Sequence, residues 1–181
     1  MKCQSNGCDK SACVIWLTGL SGSGKSTLAK EISRGIGAQG LPVEHLDGDE
    51  VRELFPQTGF DRNSRNEHIR RIGYLASKLE KHGIFVVASF ISPYQESRNF
   101  TRKLCQNFIE VYLNTPLEVC KSRDPKGLYQ EAHTGKIENF TGVHDPYEPP
   151  LNPELTFDTS KVPVKQAVDQ ILQYVCAHAK K

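Results

Sequence analysis

The chain has 181 residues, a formal net charge of +2, 38% hydrophobic residues and 24% charged residues. That length suits one domain with a proper core, and the near-neutral charge argues against bulk binding to nucleic acid or a membrane surface. No apolar run approaches the ~18 residues of a membrane span and no signal-like apolar region is present, so a cytoplasmic protein is expected.

Residues 1–11 are polar and unpatterned and are expected to form a flexible tail, with 12–181 as a single domain. Cys3, Cys8 and Cys13 have four residues between neighbours and no histidine close by, which is wider than usual zinc-ligand spacing. In a reducing compartment the six cysteines read as free thiols, with Cys105, Cys120 and Cys176 as packing residues. An apolar strand over 13–18 then feeds Gly19-Leu20-Ser21-Gly22-Ser23-Gly24-Lys25-Ser26-Thr27, and a helix over 25–37 follows with Leu28, Ile32 and Ile36 on one face. Strand, loop and helix are the setting in which G-x-x-x-x-G-K-[ST] cradles phosphate. Glycines turn successive N–H groups toward phosphate oxygens, Lys25 reaches the β/γ-phosphates, and the Ser26 hydroxyl ligates Mg²⁺. ATP and Mg²⁺ are therefore the expected cofactors.

A second strand, Pro42-Val-Glu-His-Leu46, ends in Asp47-Gly48-Asp49, and a short helix runs to about Leu54 before Pro56. Ile69, Ile72, Leu75, Ala76 and Leu79 give a helical stripe over roughly 64–82. Residues 84–89 read as a fully buried parallel strand, 95–106 as a helix and 108–113 as the fourth strand. Pro116 opens a short helix at its first turn. From 124 to 153 the pattern dissolves, as expected of a lid or binding loop. A short strand at 155–157 and a terminal helix from Val164 complete an α/β chain: a mainly parallel sheet of about five strands with helices on both faces.

Ligands of such sheets sit beyond the carboxyl ends of the strands. Asp49 is placed to orient an acceptor hydroxyl, accept its proton or hold a metal-bound water. Asp47 fixes the turn before Gly48. Arg52, Arg62, Arg65, Arg70 and Arg71 form a basic cluster, some of which would pair with anionic groups of the acceptor. Phe60 and Phe140 lie in loops where aromatic faces can clamp a base. His45, His82, His133, His144 and His178 show no metal-ligand spacing.

These motifs resemble the adenylyl-sulfate kinase family of P-loop kinases. The resemblance covers nearly all the chain from about Ile15. It rests on the loop at 19–27, Leu-Asp-Gly-Asp at 46–49, Phe-Ile-Ser-Pro-Tyr at 90–94, Arg-Asp-Pro-Lys-Gly-Leu-Tyr at 123–129, Phe-Thr-Gly at 140–142 and Pro-Tyr-Glu-Pro at 146–149. It implies transfer of the ATP γ-phosphate to the 3′-hydroxyl of adenosine 5′-phosphosulfate, giving 3′-phosphoadenylyl sulfate and ADP in sulfate assimilation. It also implies that Asp49 sits beside that hydroxyl and the metal, and that Arg52 and Arg65 bind the phosphosulfate. Phe60 and Phe140 would sandwich the adenine, Ile91 and Ser92 line the pocket, and Lys126, Gly127 and Leu128 belong to the lid. Ser92 aligns with a serine assigned in the family as a phosphoserine intermediate, although the phosphate loop, Mg²⁺ and an acidic residue already suffice for direct in-line transfer. The catalytic set is thus Lys25, Asp49 and Ser92. Partners are expected to be the two nucleotides, without nucleic acid or membrane, and the chain is expected to be a homodimer.

Three positions depart from the family's common pattern: Glu50 where asparagine is frequent, Ser64 where aspartate often precedes Arg65, and His68 where asparagine often meets substrate. The His68 imidazole can donate in asparagine's place, and a charge change near neutrality would make acceptor binding pH-sensitive. Two rivals follow: a same-fold kinase for the 3′-hydroxyl of another small anionic nucleotide, and a non-catalytic ATP-binding regulatory module.

Overall fold

The computed structural model describes residues 11–54 and 59–178. Runs rich in β-branched and aromatic residues form β1 Val14–Gly19, β2 Val43–Asp47, β3 Phe85–Ser89, β4 Phe108–Leu113 and β5 Leu155–Phe157. They make one sheet in the order β2-β3-β1-β4-β5, parallel at every pairing. Parallel neighbours need crossovers, supplied chiefly by helices. These are α1 Lys25–Gly37, α2 Gly48–Leu54, α3 Arg62–Lys81, α4 Gln95–Leu104, α5 Leu117–Arg123, α6 Leu128–His133 and α7 Val164–His178. The expected α/β architecture is observed, with small shifts at element ends.

β1 is central and buried along its whole length. Alternate side chains point to opposite faces of the sheet. Ile15 and Leu17 pack with Leu28, Ile32 and Ile36 of α1 and with Ile171 and Val175 of α7. Val14 and Trp16 pack on the other face with Ile69, Ile72 and Ala76 of α3. Each fully buried large apolar side chain contributes about 1.5–3 kcal/mol relative to exposure. This doubly covered strand therefore holds the phosphate loop at its carboxyl end on the most firmly packed part of the sheet. α3 starts before the expected residue 64 because Asp61 caps it, accepting from the Ser64 N–H at 3.0 Å. Gly73 brings α3 close to α4: a Cβ there would lie 2.2 Å from Thr101 Oγ1.

Some expectations change. Residues 124–153 are not without a core face, because Tyr129 and Ala132 of α6 join Cys120 and Phe140 in a satellite apolar cluster. A six-residue helix with two buried positions is too short for a periodicity window to register. Phe140, expected in a loop, is buried in that cluster. Pro116 is the N-cap of α5, outside its first turn. Cys13, Cys105, Cys120 and Cys176 are free thiols as expected, but Cys176 faces solvent instead of packing. The readings of residues 1–10, with Cys3 and Cys8, and of Pro56 lie outside the described residues.

Candidate active site

The loops leaving the carboxyl ends of the strands enclose a cavity of about 930 Å³. On its donor side, β1 turns into α1 through Gly22 (φ 74°) and Gly24 (φ 94°), both left-handed. At Gly22 a Cβ would also lie 2.7 Å from the Cys120 carbonyl oxygen, so the close approach to α5 admits only glycine. α1 begins with no side-chain cap and no acidic residue in its first turn. Its free N–H groups and positive end therefore face the cavity as an anion site.

Lys25 is buried, and its Nζ donates to the carbonyls of Gly19 (3.0 Å) and Leu20 (2.7 Å). Burial pulls its pKa down to about 8; Lys126 adds to this, while Cys120 and Asp47 oppose it. The Ser26 hydroxyl donates to Asp47 Oδ2 at 2.8 Å, as does the buried Ser89 hydroxyl at 2.8 Å. The other oxygen, Oδ1, accepts from the Asp49 N–H at 3.0 Å, which is the expected turn. Asp47 thus does more than shape the turn: it fixes the hydroxyl of the phosphate loop. A serine hydroxyl and a carboxylate are hard oxygen donors suited to Mg²⁺, which keeps waters and takes phosphate oxygens instead of an all-protein cage. Accordingly, no group of three metal-ligating side chains is needed, and none occurs among the described residues.

Across the cavity stands the acceptor side. Asp49, in the first turn of α2, is exposed and ion-paired with Lys126, which reaches over from the segment before α6. The Arg52 guanidinium lies 4.4 Å over the Phe60 ring, and burial together with neighbouring Arg65 lowers its pKa. Arg65 is buried; it donates to Thr141 Oγ1 at 2.5 Å and to the Asn139 carbonyl, while its Nε has no partner. His68 is buried, with its Nε2 likewise unpartnered. Two neighbouring guanidiniums and two orphaned buried nitrogens on one wall call for an anion with several acceptor oxygens. Burial, with Arg52 and Arg71 nearby, pushes the His68 pKa down to about 4. By the protein's own groups the imidazole is neutral at physiological pH, instead of changing charge near neutrality.

Ile91 and Ser92 line the cavity just beyond the end of β3. Ser92 has a left-handed backbone (φ 40°) and is buried. Its hydroxyl accepts from Trp16 Nε1 (3.1 Å) and donates to Thr18 Oγ1 (2.9 Å). Most of the expected site residues line this one cavity: Ser21, Gly22, Gly24, Lys25, Ser26 and Thr27 on the donor side, and Asp49, Arg52, Phe60, Arg65, His68, Ile91, Ser92, Lys126, Leu128 and Phe140 on the other. Gly19, Leu20, Ser23 and Gly127 stand behind it; the first two supply carbonyls to Lys25, and Gly127 caps α6.

Two further residues were missed. Arg123 donates to Thr159 Oγ1 (2.8 Å) and the Gly22 carbonyl (3.3 Å), while Thr159 Oγ1 donates to the Ser23 carbonyl (2.9 Å). Together they brace the phosphate loop. Arg123 stands in the quoted Arg-Asp-Pro-Lys motif, whereas Thr159 carries no local signal.

The family model for adenylylsulphate kinase matches residues 11–158. The chain belongs to that family. Adenylyl-sulfate kinase of Synechococcus sp. is 47% identical over 165 residues, covering 91% of this chain and 94% of the relative. That of Gloeothece citriformis is 49% identical over 159 residues, covering 87% and 90%. The solved structure of the Mycobacterium tuberculosis APS kinase in complex with AMPPNP and APS superposes with a TM-score of 0.86 at 36% identity, covering 91% of this chain and 97% of that one. Family membership explains why the motifs fall in order along the chain and converge on one cavity.

Proposed function

We propose that the chain transfers the γ-phosphoryl group of ATP to the 3′-hydroxyl of adenosine 5′-phosphosulfate, giving 3′-phosphoadenylyl sulfate and ADP in sulfate assimilation. One observation carries this: a single cavity of about 930 Å³ is lined by a phosphate loop on one side and by Asp49 with an Arg52–Arg65–His68 anion wall on the other. That volume is at the upper end for small-molecule sites, as two nucleotides require.

Lys25 and the N–H groups of the loop stabilise charge on the transferring phosphoryl oxygens. Ser26 and Asp47 would hold Mg²⁺, which when bound neutralises developing charge on the phosphates. Asp49 orients the acceptor hydroxyl and accepts its proton. Arg52, Arg65 and His68 hold the phosphosulfate, and Phe60 and Phe140 clamp the adenine. Ser92 serves as wall, because its hydroxyl is engaged by Trp16 and Thr18 and direct in-line transfer needs no phosphoserine. Residues 124–153 act as a lid: Lys126 meets Asp49, while Asn139 and Thr141 meet Arg65. The enzyme acts in the cytoplasm as a homodimer, for which the exposed Tyr74, Leu75 and Phe100 offer apolar surface. No helix among the described residues is long and apolar enough to cross a membrane.

A coupled ADP-release assay across nucleotides with free 3′-hydroxyls tests the acceptor. The expected result is a clear kcat/KM preference for adenosine 5′-phosphosulfate; equal or better turnover of another nucleotide points instead to a same-fold kinase with a different acceptor.

A second expectation concerns protons. The Lys25 pKa of about 8 is set by the protein's own groups, and triphosphate beside the ammonium raises it. At about pH 8.5, ATP binding should therefore take up protons, and the uptake should fade toward about pH 7, where Lys25 is already charged. Calorimetry in buffers of different ionisation enthalpy measures this, and uptake unchanged in Lys25→Ala assigns it elsewhere.

A further inference from the structure

Arg98 of α4 lies outside the wall of the nucleotide cavity and is only 2% exposed. A guanidinium does not shed its charge, so burial on this scale requires specific partners. Its Nε donates to Glu110 Oε1 (2.9 Å), its Nη1 to the Ser92 carbonyl (2.6 Å) and its Nη2 to the Glu148 carbonyl (2.6 Å). Glu110 has separate supports: its other oxygen accepts from Arg102 (3.2 Å), and its backbone N–H donates to Glu154 (2.7 Å). The ion pair alone therefore does not account for the two carbonyl contacts.

Both carbonyls belong to segments that shape the acceptor side. Ser92 follows Ile91 in the cavity wall and holds a left-handed backbone that L residues rarely adopt (φ 40°). Glu148 is stitched to the same turn: its N–H donates to the Pro93 carbonyl (2.8 Å), and its carboxylate accepts from the Gln95 N–H (2.8 Å) and from Arg62 (3.0 Å). A few residues earlier on that segment, Thr141 and Asp145 hold Arg65.

We propose that Arg98 is a positioning residue for the acceptor, acting through the Ser92 and Glu148 carbonyls. Its planar fork fixes the distance between the wall formed by Ile91 and Ser92 and the segment that carries the partners of Arg65. A lysine would supply the same charge from a single point and could not span the two carbonyls in this geometry. The inference rests on the acceptor assignment above.

The test compares steady-state kinetics for both substrates in wild type, Arg98→Lys, Arg98→Gln and Glu110→Gln. Arg98→Lys keeps a cation beside Glu110 and loses the fork; Glu110→Gln weakens the ion pair and leaves both carbonyl contacts. Arg98→Lys should raise the KM for adenosine 5′-phosphosulfate by about tenfold or more, the scale of one charge-assisted hydrogen bond, with the KM for ATP within about twofold. Arg98→Gln should raise the same KM selectively. Glu110→Gln should lower Tm while its acceptor KM stays within about twofold. An unchanged acceptor KM in the folded Arg98 variants, an equal rise for both substrates, or the same acceptor effect in Glu110→Gln would overturn the proposal. If wild type fails to use adenosine 5′-phosphosulfate at all, the acceptor assignment falls; if wild type uses it and the Arg98 variants bind it normally, only the role of Arg98 falls.

Discussion

Lys25→Ala should lower kcat by ~100-fold or more, the scale for removing one preorganised charge stabiliser. The loss should be kinetic and not a failure to fold. Nζ sits dehydrated against the carbonyls of Gly19 and Leu20, and burial has pulled its pKa down to about 8. A lysine whose folded pKa lies below its unfolded value destabilises the folded state at pH below about 8, and that penalty is relieved as pH rises toward the unfolded value near 10.5. Removing the ammonium at neutral pH should leave Tm unchanged or higher while turnover collapses. Thermal melts beside coupled ADP-release kinetics separate the two effects, and a rate like wild type would refute the assigned role. The ammonium thus marks a place where stability is conceded to keep a charge ready for phosphate.

The donor side was legible in the sequence because its chemistry is local. Gly19 through Thr27 form one contiguous run, the positive φ values of Gly22 and Gly24 follow from the pattern, and the apolar run before it could only be a buried strand. The acceptor side is assembled from separate elements: Arg65 on α3, Ile91 and Ser92 after β3, and Phe140 far along the chain. No periodicity joins these, and the resemblance to a family supplied what spacing alone did not. Contacts between distant backbone atoms left the least trace. Thr159 on the phosphate loop and Arg98 on two carbonyls depend on how the chain returns over itself. The charge state of His68 is not legible in a string of residues, because burial and two flanking guanidiniums set it.

Asp49→Asn should cost ~100-fold to 10,000-fold in kcat with ATP affinity largely kept, the range for losing a positioned proton acceptor. The substitution preserves shape, so the carboxylate charge is what it removes. Two roles compete for that charge, because Asp49 also pairs with Lys126 from the proposed lid. Lys126→Ala tells them apart. If Asp49 served only to hold the lid, Lys126→Ala would match the loss in Asp49→Asn and the double variant would be no worse. If Asp49 accepts the hydroxyl proton, Lys126→Ala should be much milder, since an exposed ion pair contributes about 1 kcal/mol or less, roughly fivefold at most. Solvent exposure of both partners favours the second outcome: Lys126 and Asp49 side chains are 48% and 60% accessible, so their pairing is screened by water. Equal, negligible turnover in wild type and Asp49→Asn, with ATP still bound, would mean that the pair closes a regulatory module with no chemistry to support.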